Sequence, residues 1–125
     1  MQKVTTRIVP NATLSNQRFL DTIDHYCCSL MEQDYSQGTI DIRKTVFRKF
    51  LTFIQQSGLK KISEIHQDNI TKFIPYVSQS YQASSMGTVF SSMRSFLGFL
   101  YEEKLIAEDI TPAVSVDFNL DSRNL

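Results

Sequence analysis

The sequence predicts an all-α fold, a compact bundle of four helices followed by a short fifth helix. Apolar residues recur at spacings of three and four along four long segments, which is the period of a helix that buries one face. No segment shows the strict alternation of apolar and polar residues that marks a half-buried strand. Because 125 residues suit a single hydrophobic core, these helices are expected to form one domain.

The first helix is predicted to begin near Ser15. Its apolar face is predicted to contain Phe19, Leu20, Ile23, Tyr26, Cys27, Leu30 and Met31. The preceding residues 1–14 contain Pro10 and Asn11 and show no sustained period. We therefore expect a flexible N-terminal arm over residues 1–14 and the helical domain over residues 15–115.

The second helix is predicted to follow the turn-forming residues 34–38 and to end near Ser57. The hydroxyl of Thr39 is expected to cap the free amides of its first turn. Gly58 is placed to end the helix in the left-handed conformation. The predicted core face consists of Ile40, Phe47, Phe50, Leu51 and Ile54.

The third helix is predicted to run from His66 to about Ser80. Pro75 lies inside it, and a proline there removes a backbone hydrogen bond and clashes with the preceding turn. A kink or an early end is therefore expected at Pro75. Ile62 and Ile65 are expected to pack in the connection before this helix.

The fourth helix has the most regular pattern in the chain. It is predicted to begin at Ser84 or Ser85 and to end near Glu103. Its buried stripe is predicted to contain Met86, Val89, Phe90, Met93, Leu97 and Leu100. Residues 111–113 predict a short fifth helical turn, and a polar tail follows it.

The sequence lacks the patterns of membrane-spanning, secreted and catalytic proteins. No stretch approaches about 20 apolar residues, and the N-terminus lacks the apolar block of a secretory signal. The adjacent Cys27 and Cys28 supply no disulfide framework. His25 and His66 have no nucleophile or metal-ligand motif around them. We therefore expect a cytoplasmic protein that uses no metal and no cofactor.

Charge is unevenly distributed along the chain, although 13 basic and 13 acidic residues give a formal net charge of zero. From residue 39 to residue 61 there is one acid, Asp41, whereas acids dominate from residue 105 onward. The bases of the first segment are Arg43, Lys44, Arg48, Lys49, Lys60 and Lys61. Such a concentration is typical of a phosphate-binding surface, and it is also found on solvated helix faces.

The fourth helix has a second face of small and hydroxyl-bearing residues, opposite its apolar stripe. These residues are Ser84, Thr88, Ser91, Ser95 and Gly98, and Arg94 flanks them. Hydroxyls can donate to phosphate oxygens or to base edges, and helix N-termini attract anions. Thr39 and the Ser84-Ser85 pair are therefore candidate phosphate anchors. The alternative is that the small residues admit a neighbouring helix or face water.

The order of these features along the chain is more informative than any one of them. The features are Ser36-Gln37-Gly38-Thr39, Phe47-x-x-Phe50-Leu51-x-Phe53, Ile65-x-x-x-x-Ile70, Ser84-Ser85, Met93-Arg94-x-Phe96-Leu97-x-Phe99-Leu100, Leu105-Ile106 and Thr111-Pro112-Ala113. Together they resemble the SAM-like core-binding domain of tyrosine recombinases and phage integrases. The resemblance covers about residues 15–115.

The resemblance implies a SAM-like bundle that grips a recombination-site duplex through its second and fourth helices. The DNA-binding residues it implies are Thr39, Arg43, Lys44, Arg48, Ser84, Ser85, Thr88, Ser91 and Arg94. It assigns strand cleavage to a separate catalytic domain, so this chain is expected to be a non-catalytic part of a bacterial recombinase, with residues 116–125 as a linker. The implied partners are double-stranded DNA, that catalytic domain and other recombinase protomers on DNA, near the nucleoid and away from membranes.

Two other classes of function stay open at this point. Helical bundles also dock partner helices, and the zero net charge suits a protein-interaction module that does not bind DNA. A free-standing enzyme is disfavoured because no convergent acid, base and nucleophile can be proposed.

Overall fold

The structure is a computed structural model that describes residues 13–114, and every regular element in this range is helical. The four long helices are α1 (Gln17–Glu32), α2 (Gln37–Gln56), α3 (Gln67–Ser78) and α4 (Met86–Glu102). Three single 3₁₀ turns lie at Ile62–Glu64, Ala83–Ser85 and Thr111–Ala113. The predicted all-α bundle with a short fifth element is therefore confirmed. No helix among the described residues is both long and apolar enough to cross a bilayer.

One aromatic cluster joins the four helices. Phe47 of α2 stacks on Phe96 of α4 with ring centroids 4.5 Å apart, and Phe50 lies 5.5 Å from the same ring. Tyr26 of α1 meets Phe47 edge-on at 5.3 Å, and Phe73 of α3 meets Phe50 edge-on at 5.1 Å. Such pairs stabilise a fold by about 0.5–1.5 kcal/mol beyond the area they bury. The cluster therefore fixes α2 beside α4, with α1 and α3 packed against them.

The predicted core faces of α2 and α4 are buried throughout. In α4 the buried stripe is wider than predicted, because Ser92, Phe96 and Phe99 are buried as well. In α1 the prediction for Met31 is wrong, since its side chain is 60% exposed. Met31 lies in the last turn of α1 on the exposed edge of its apolar face.

The chain is fastened to the bundle before α1 begins. Leu14 is buried, so the core extends one residue further than the predicted start at Ser15. The Oε1 atom of Gln55 accepts hydrogen bonds from the backbone amides of Ser15 and Asn16 at 3.0 and 2.8 Å. The side-chain amide of Gln55 donates to the Thr13 carbonyl at 3.2 Å. The end of α2 thus holds residues 13–16 in place.

Most of the predicted N-terminal arm and all of the predicted C-terminal linker fall outside the part of the chain that the structure describes. Residues 1–12 of the predicted arm and residues 116–125 of the predicted linker lie beyond it.

The connection between α2 and α3 packs as predicted, because Ile62 and Ile65 are both buried.

The predicted cap of α2 is wrong. Asp34 adopts a left-handed conformation with a φ of 65°, which ends the preceding turn early, and Ser36 is extended. The helix therefore begins at Gln37, and the Ser36 hydroxyl accepts a hydrogen bond from the backbone amide of Thr39 at 3.2 Å. At the other end the predicted left-handed glycine is confirmed, since Gly58 has a φ of 100°.

Of the kink or early end expected at Pro75, the early end does not occur. The helix passes through Pro75 and ends at Ser78. Pro75 and Thr71, whose carbonyl loses its helical donor, both lie on the exposed side of α3. Water can therefore satisfy that carbonyl, and the proline is tolerated.

The fourth helix begins close to the predicted position. The 3₁₀ turn Ala83–Ser85 leads directly into Met86, the first residue of α4. Ser85 occupies the cap position, but its hydroxyl makes no capping hydrogen bond. That hydroxyl is therefore not used to start the helix.

Replacing the α2 cap provides a test of this geometry. Ser36→Ala is expected to lower the free energy of unfolding by about 1 kcal/mol, because the first turn of α2 loses its side-chain acceptor. Thr39→Ala, the matched control, is expected to change it by less than about 0.5 kcal/mol. Urea unfolding followed by circular dichroism measures both. A larger loss for Thr39→Ala would contradict the assignment.

Candidate nucleic-acid interface

The N-terminal turns of α2 and α4 border an open groove, which we call the α2–α4 groove. It is lined by Thr39, Ile42, Arg43, Ser84, Gly87, Thr88, Ser91 and Ser92. Five of the nine predicted DNA-binding residues lie here, namely Thr39, Arg43, Ser84, Thr88 and Ser91. Each of these five is exposed or half-buried, so solvent reaches all of them.

A second depression continues the groove along the outer side of α2. It is lined by Asp41, Ile42, Thr45, Tyr81, Ser85 and Thr88, so it shares Ile42 and Thr88 with the α2–α4 groove. It adds Ser85 to the predicted residues brought together. The Lys49 ammonium lies 5.8 Å from the centroid of the Tyr81 ring. Among the residues that line the two depressions, Asp41 is the one acid.

The other three predicted residues lie outside these two depressions. Arg94 lines a separate depression between α1 and α4. Arg48 is exposed on α2 one helical turn beyond Thr45, so it extends the same side of the helix. Lys44 is exposed on the side of α2 that faces α1. Burial raises the pKa of the Cys27 thiol in α1, and the positive charge of Lys44 partly opposes that rise.

Several hydroxyls along the groove make no hydrogen bond to the described part of the protein. They belong to Ser84, Ser85, Thr88 and Ser91. Gly87 beside them is not required for packing, because an added Cβ would meet no atom within 4 Å. The small residues from Ser84 to Ser91 therefore lie on an open surface.

The predicted hydroxyl face is shorter than the sequence suggested. The Ser95 hydroxyl lies 2.5 Å from the Tyr26 hydroxyl and forms a hydrogen bond with it. Ser92, which follows Ser91 directly, is buried, and its hydroxyl donates to the Thr88 carbonyl at 2.9 Å. Ser95 therefore belongs to the contact between α1 and α4, and the accessible row stops at Ser91.

Arg43 is held by an aromatic ring. Its guanidinium carbon lies 4.5 Å from the centroid of the Tyr35 ring, within the range of a cation–π interaction. The side chain is half-buried at the edge of the α2–α4 groove.

The basic side chains of this region have no carboxylate partner in the described part of the chain. Between residues 13 and 114 one ion pair is formed, by His25 and Glu103 at 3.6 Å, at the opposite end of α4. The bases without an ion pair there include Arg43, Lys44, Arg48, Lys49 and Arg94. Their positive charge is uncompensated at short range, so it is available to an external anion.

Sequence reasoning missed three residues of this region. Tyr35 belongs to the turn before α2, and no spacing rule connects it with Arg43. Ile42 is 49% exposed between the two depressions, and Tyr81 precedes the 3₁₀ turn before α4. Their positions depend on how the helices pack, which periodicity within one helix does not reveal.

Comparison with known proteins identifies the family. The family described as "Phage integrase, N-terminal SAM-like domain" matches residues 23–104, which contain most of α1 and all of α2, α3 and α4. The chain belongs to this family. The predicted resemblance to the SAM-like domain of recombinases is therefore confirmed.

A curated relative and the solved structures complete the comparison. The tyrosine recombinase XerC of Anoxybacillus flavithermus is 30% identical over 80 residues, which are 63% of this chain and 27% of that relative. The chain thus matches about a quarter of the length of this recombinase. No solved structure shows a significant match.

Because the Tyr26 hydroxyl is buried, the fold is expected to lose stability at alkaline pH. Burial raises the pKa of Tyr26 above its ordinary value of 10.0, although its hydrogen bond with Ser95 partly opposes this. Above about pH 10 the unfolded chain therefore loses this proton before the folded chain does, and stability falls as pH rises.

The variant Tyr26→Phe is expected to be about 1 kcal/mol less stable at neutral pH, because it lacks the hydrogen bond to Ser95. Its stability is expected to fall less steeply than that of the wild type between about pH 9 and pH 11. Part of the slope remains, because burial also raises the pKa of Tyr81. Urea unfolding across this range measures the difference, and equal slopes would contradict the argument.

Proposed function

We propose that this chain is the core-binding domain of a site-specific tyrosine recombinase, and that it grips the recombination-site duplex through α2 and α4. The observation that carries the proposal is the coincidence, on adjacent turns of these two helices, of cations without a carboxylate partner and hydroxyls without a hydrogen bond among residues 13–114. Membership of the phage integrase SAM-like family and the match to a tyrosine recombinase support it.

Phosphate contacts supply most of the affinity. The α2–α4 groove is concave, so it suits a sugar–phosphate strand better than a flat base edge. Within it Arg43 offers a charged donor, and the hydroxyls of Ser84, Thr88 and Ser91 offer neutral ones. The positive dipole ends of α2 and α4 both adjoin the groove, because their first turns line it.

Contacts outside the groove extend the footprint along the duplex. Arg48 on the exposed side of α2 reaches phosphates on one flank, and Lys44 and Arg94, which lie toward α1, reach those on the other. Thr39 and Ser85 contact the backbone near the two helix starts. Base reading is limited and falls to Ser91, the last accessible hydroxyl of the row. The proposed site therefore keeps all nine residues that the sequence indicates.

Strand cleavage belongs to a catalytic domain elsewhere in the parent protein. The chain matches 27% of the related recombinase, which leaves room in such a protein for a separate catalytic domain. The further partners are this catalytic domain and other recombinase protomers assembled on the same DNA. We place the complex at the nucleoid of a bacterial cell. This domain alone binds weakly, because Asp41 lies among the contacts and the net charge of the chain is zero.

Salt dependence tests the phosphate mechanism. If the chain neutralises about six phosphates, log affinity falls with log salt concentration at a slope of about −5. Fluorescence anisotropy with a labelled 30-base-pair duplex, titrated at several salt concentrations, measures the slope. An affinity independent of salt would rule out the mechanism, and no complex even at low salt would favour a protein-interaction module.

Charge reversal tests the site. One phosphate contact contributes about eightfold to affinity at 0.1 M salt by counterion release, so Arg48→Glu and Arg94→Glu are each expected to weaken binding about tenfold for every sequence. Lys72→Glu is the matched control, because Lys72 is exposed on α3 and lines neither depression. Equal losses in the control and the two site variants would remove the site assignment.

Base reading by Ser91 predicts a different kind of change. Ser91→Ala is expected to alter the preferred sequence and to leave affinity for a random duplex within about twofold, because one neutral hydrogen bond contributes little to overall binding. Selection from a random duplex pool by both proteins measures the preference. Identical selected sequences would show that Ser91 reads no base.

A further inference from the structure

The loop between α1 and α2 brings Tyr35 against Arg43. Asp34 takes a left-handed φ of 65°, which reverses the chain directly after α1. The backbone amide of Tyr35 then donates to the Leu30 carbonyl at 3.2 Å, so the residue is anchored to the last turn of α1. This anchoring places the Tyr35 ring 4.5 Å from the Arg43 guanidinium carbon.

The chemistry of this pair differs from that of an arginine held by an acid. A carboxylate would fix the guanidinium and also neutralise it. An aromatic face holds the planar group through its π surface and leaves the positive charge and the N–H donors in the plane unused. Arg43 has no carboxylate within ion-pair distance among residues 13–114, so its charge stays available.

The two side chains face different surfaces. Arg43 lines the α2–α4 groove, whereas Tyr35 lines the neighbouring depression between α1 and α4 and does not border the groove. Tyr35 is 40% exposed and is therefore not a core residue. Its position suits a role that acts through Arg43 and does not suit direct contact with a strand in the groove.

We propose that Tyr35 is a positioning residue for DNA binding, which holds the Arg43 guanidinium at the edge of the α2–α4 groove with its free N–H donors directed at a DNA phosphate. The proposal rests on the proposed function and deepens it. Preorganisation of this kind increases affinity because the flexible arginine has less conformational freedom to lose when DNA binds.

The first test uses the free protein and does not depend on DNA. In the 125-residue chain the side-chain protons of Arg43 are expected to be shifted upfield by the ring current of Tyr35, as measured by nuclear magnetic resonance. Tyr35→Phe keeps the ring and is expected to keep the shift, whereas Tyr35→Leu is expected to abolish it. Unshifted Arg43 protons in the wild-type chain would overturn the proposal.

The second test measures affinity for a labelled 30-base-pair duplex at low salt. Tyr35→Leu is expected to weaken binding about twofold to fivefold, the range of a solvent-exposed cation–π interaction, and Tyr35→Phe to restore it. In an Arg43→Ala background, Tyr35→Leu is expected to cause no further loss. Tyr101→Leu, at an equally exposed tyrosine near the end of α4, is the matched control and is expected to bind like the wild type.

Several results would overturn the positioning role alone. These are an unchanged affinity in Tyr35→Leu, an equal loss in the presence and absence of Arg43, or a failure of Tyr35→Phe to restore binding. If thermal melting shows that Tyr35→Leu is unfolded, Arg43→Lys replaces it, because lysine keeps the charge and loses the planar stack; wild-type affinity in that variant would also overturn the role. Failure of the wild type to bind any duplex would instead defeat the proposed function itself.

Discussion

The stack of Phe47 on Phe96 is the contact on which the rest of the structure depends. The two rings lie 4.5 Å apart and 16° from parallel, and they fix the distance between α2 and α4. Arg43 and Ser92 each precede one of these rings by four residues, so they lie one helical turn above the stack on the same faces. The aromatic cluster thus sets the spacing of the two helices that border the α2–α4 groove.

This arrangement separates stability from binding. Aromatic burial holds the helices, whereas the hydroxyls of Ser84, Ser85, Thr88 and Ser91 lack hydrogen-bond partners and the nearby cations lack carboxylates among the described residues. A surface of unpaired charge costs some stability by self-repulsion, and a polyanion relieves that cost on binding. The same pair of helices therefore carries a buried aromatic contact and, about one turn away, an accessible polar surface.

The sequence was most informative where one helix determines the outcome. The five helical elements, the α4 stripe and Gly58 follow from local periodicity and backbone conformation, although α3 does not end early at Pro75. The cap of α2 was misplaced because Asp34 adopts a left-handed φ that propensity does not specify. Ser95 does not belong to the accessible hydroxyl face because it bonds to Tyr26, which lies 69 residues earlier in the chain. The role of Tyr35 likewise arises from a contact with another element, which periodicity within one helix does not reveal.

The proposed binding of a duplex on the face formed by α2 and α4 can be mapped residue by residue in solution. Backbone amide shifts of the isotope-labelled chain, followed during titration with a 20-base-pair duplex, test it most directly. The largest changes are expected over residues 37–45 and 83–94, with small changes over α3. Changes centred on α3, or spread evenly over the bundle, would contradict it.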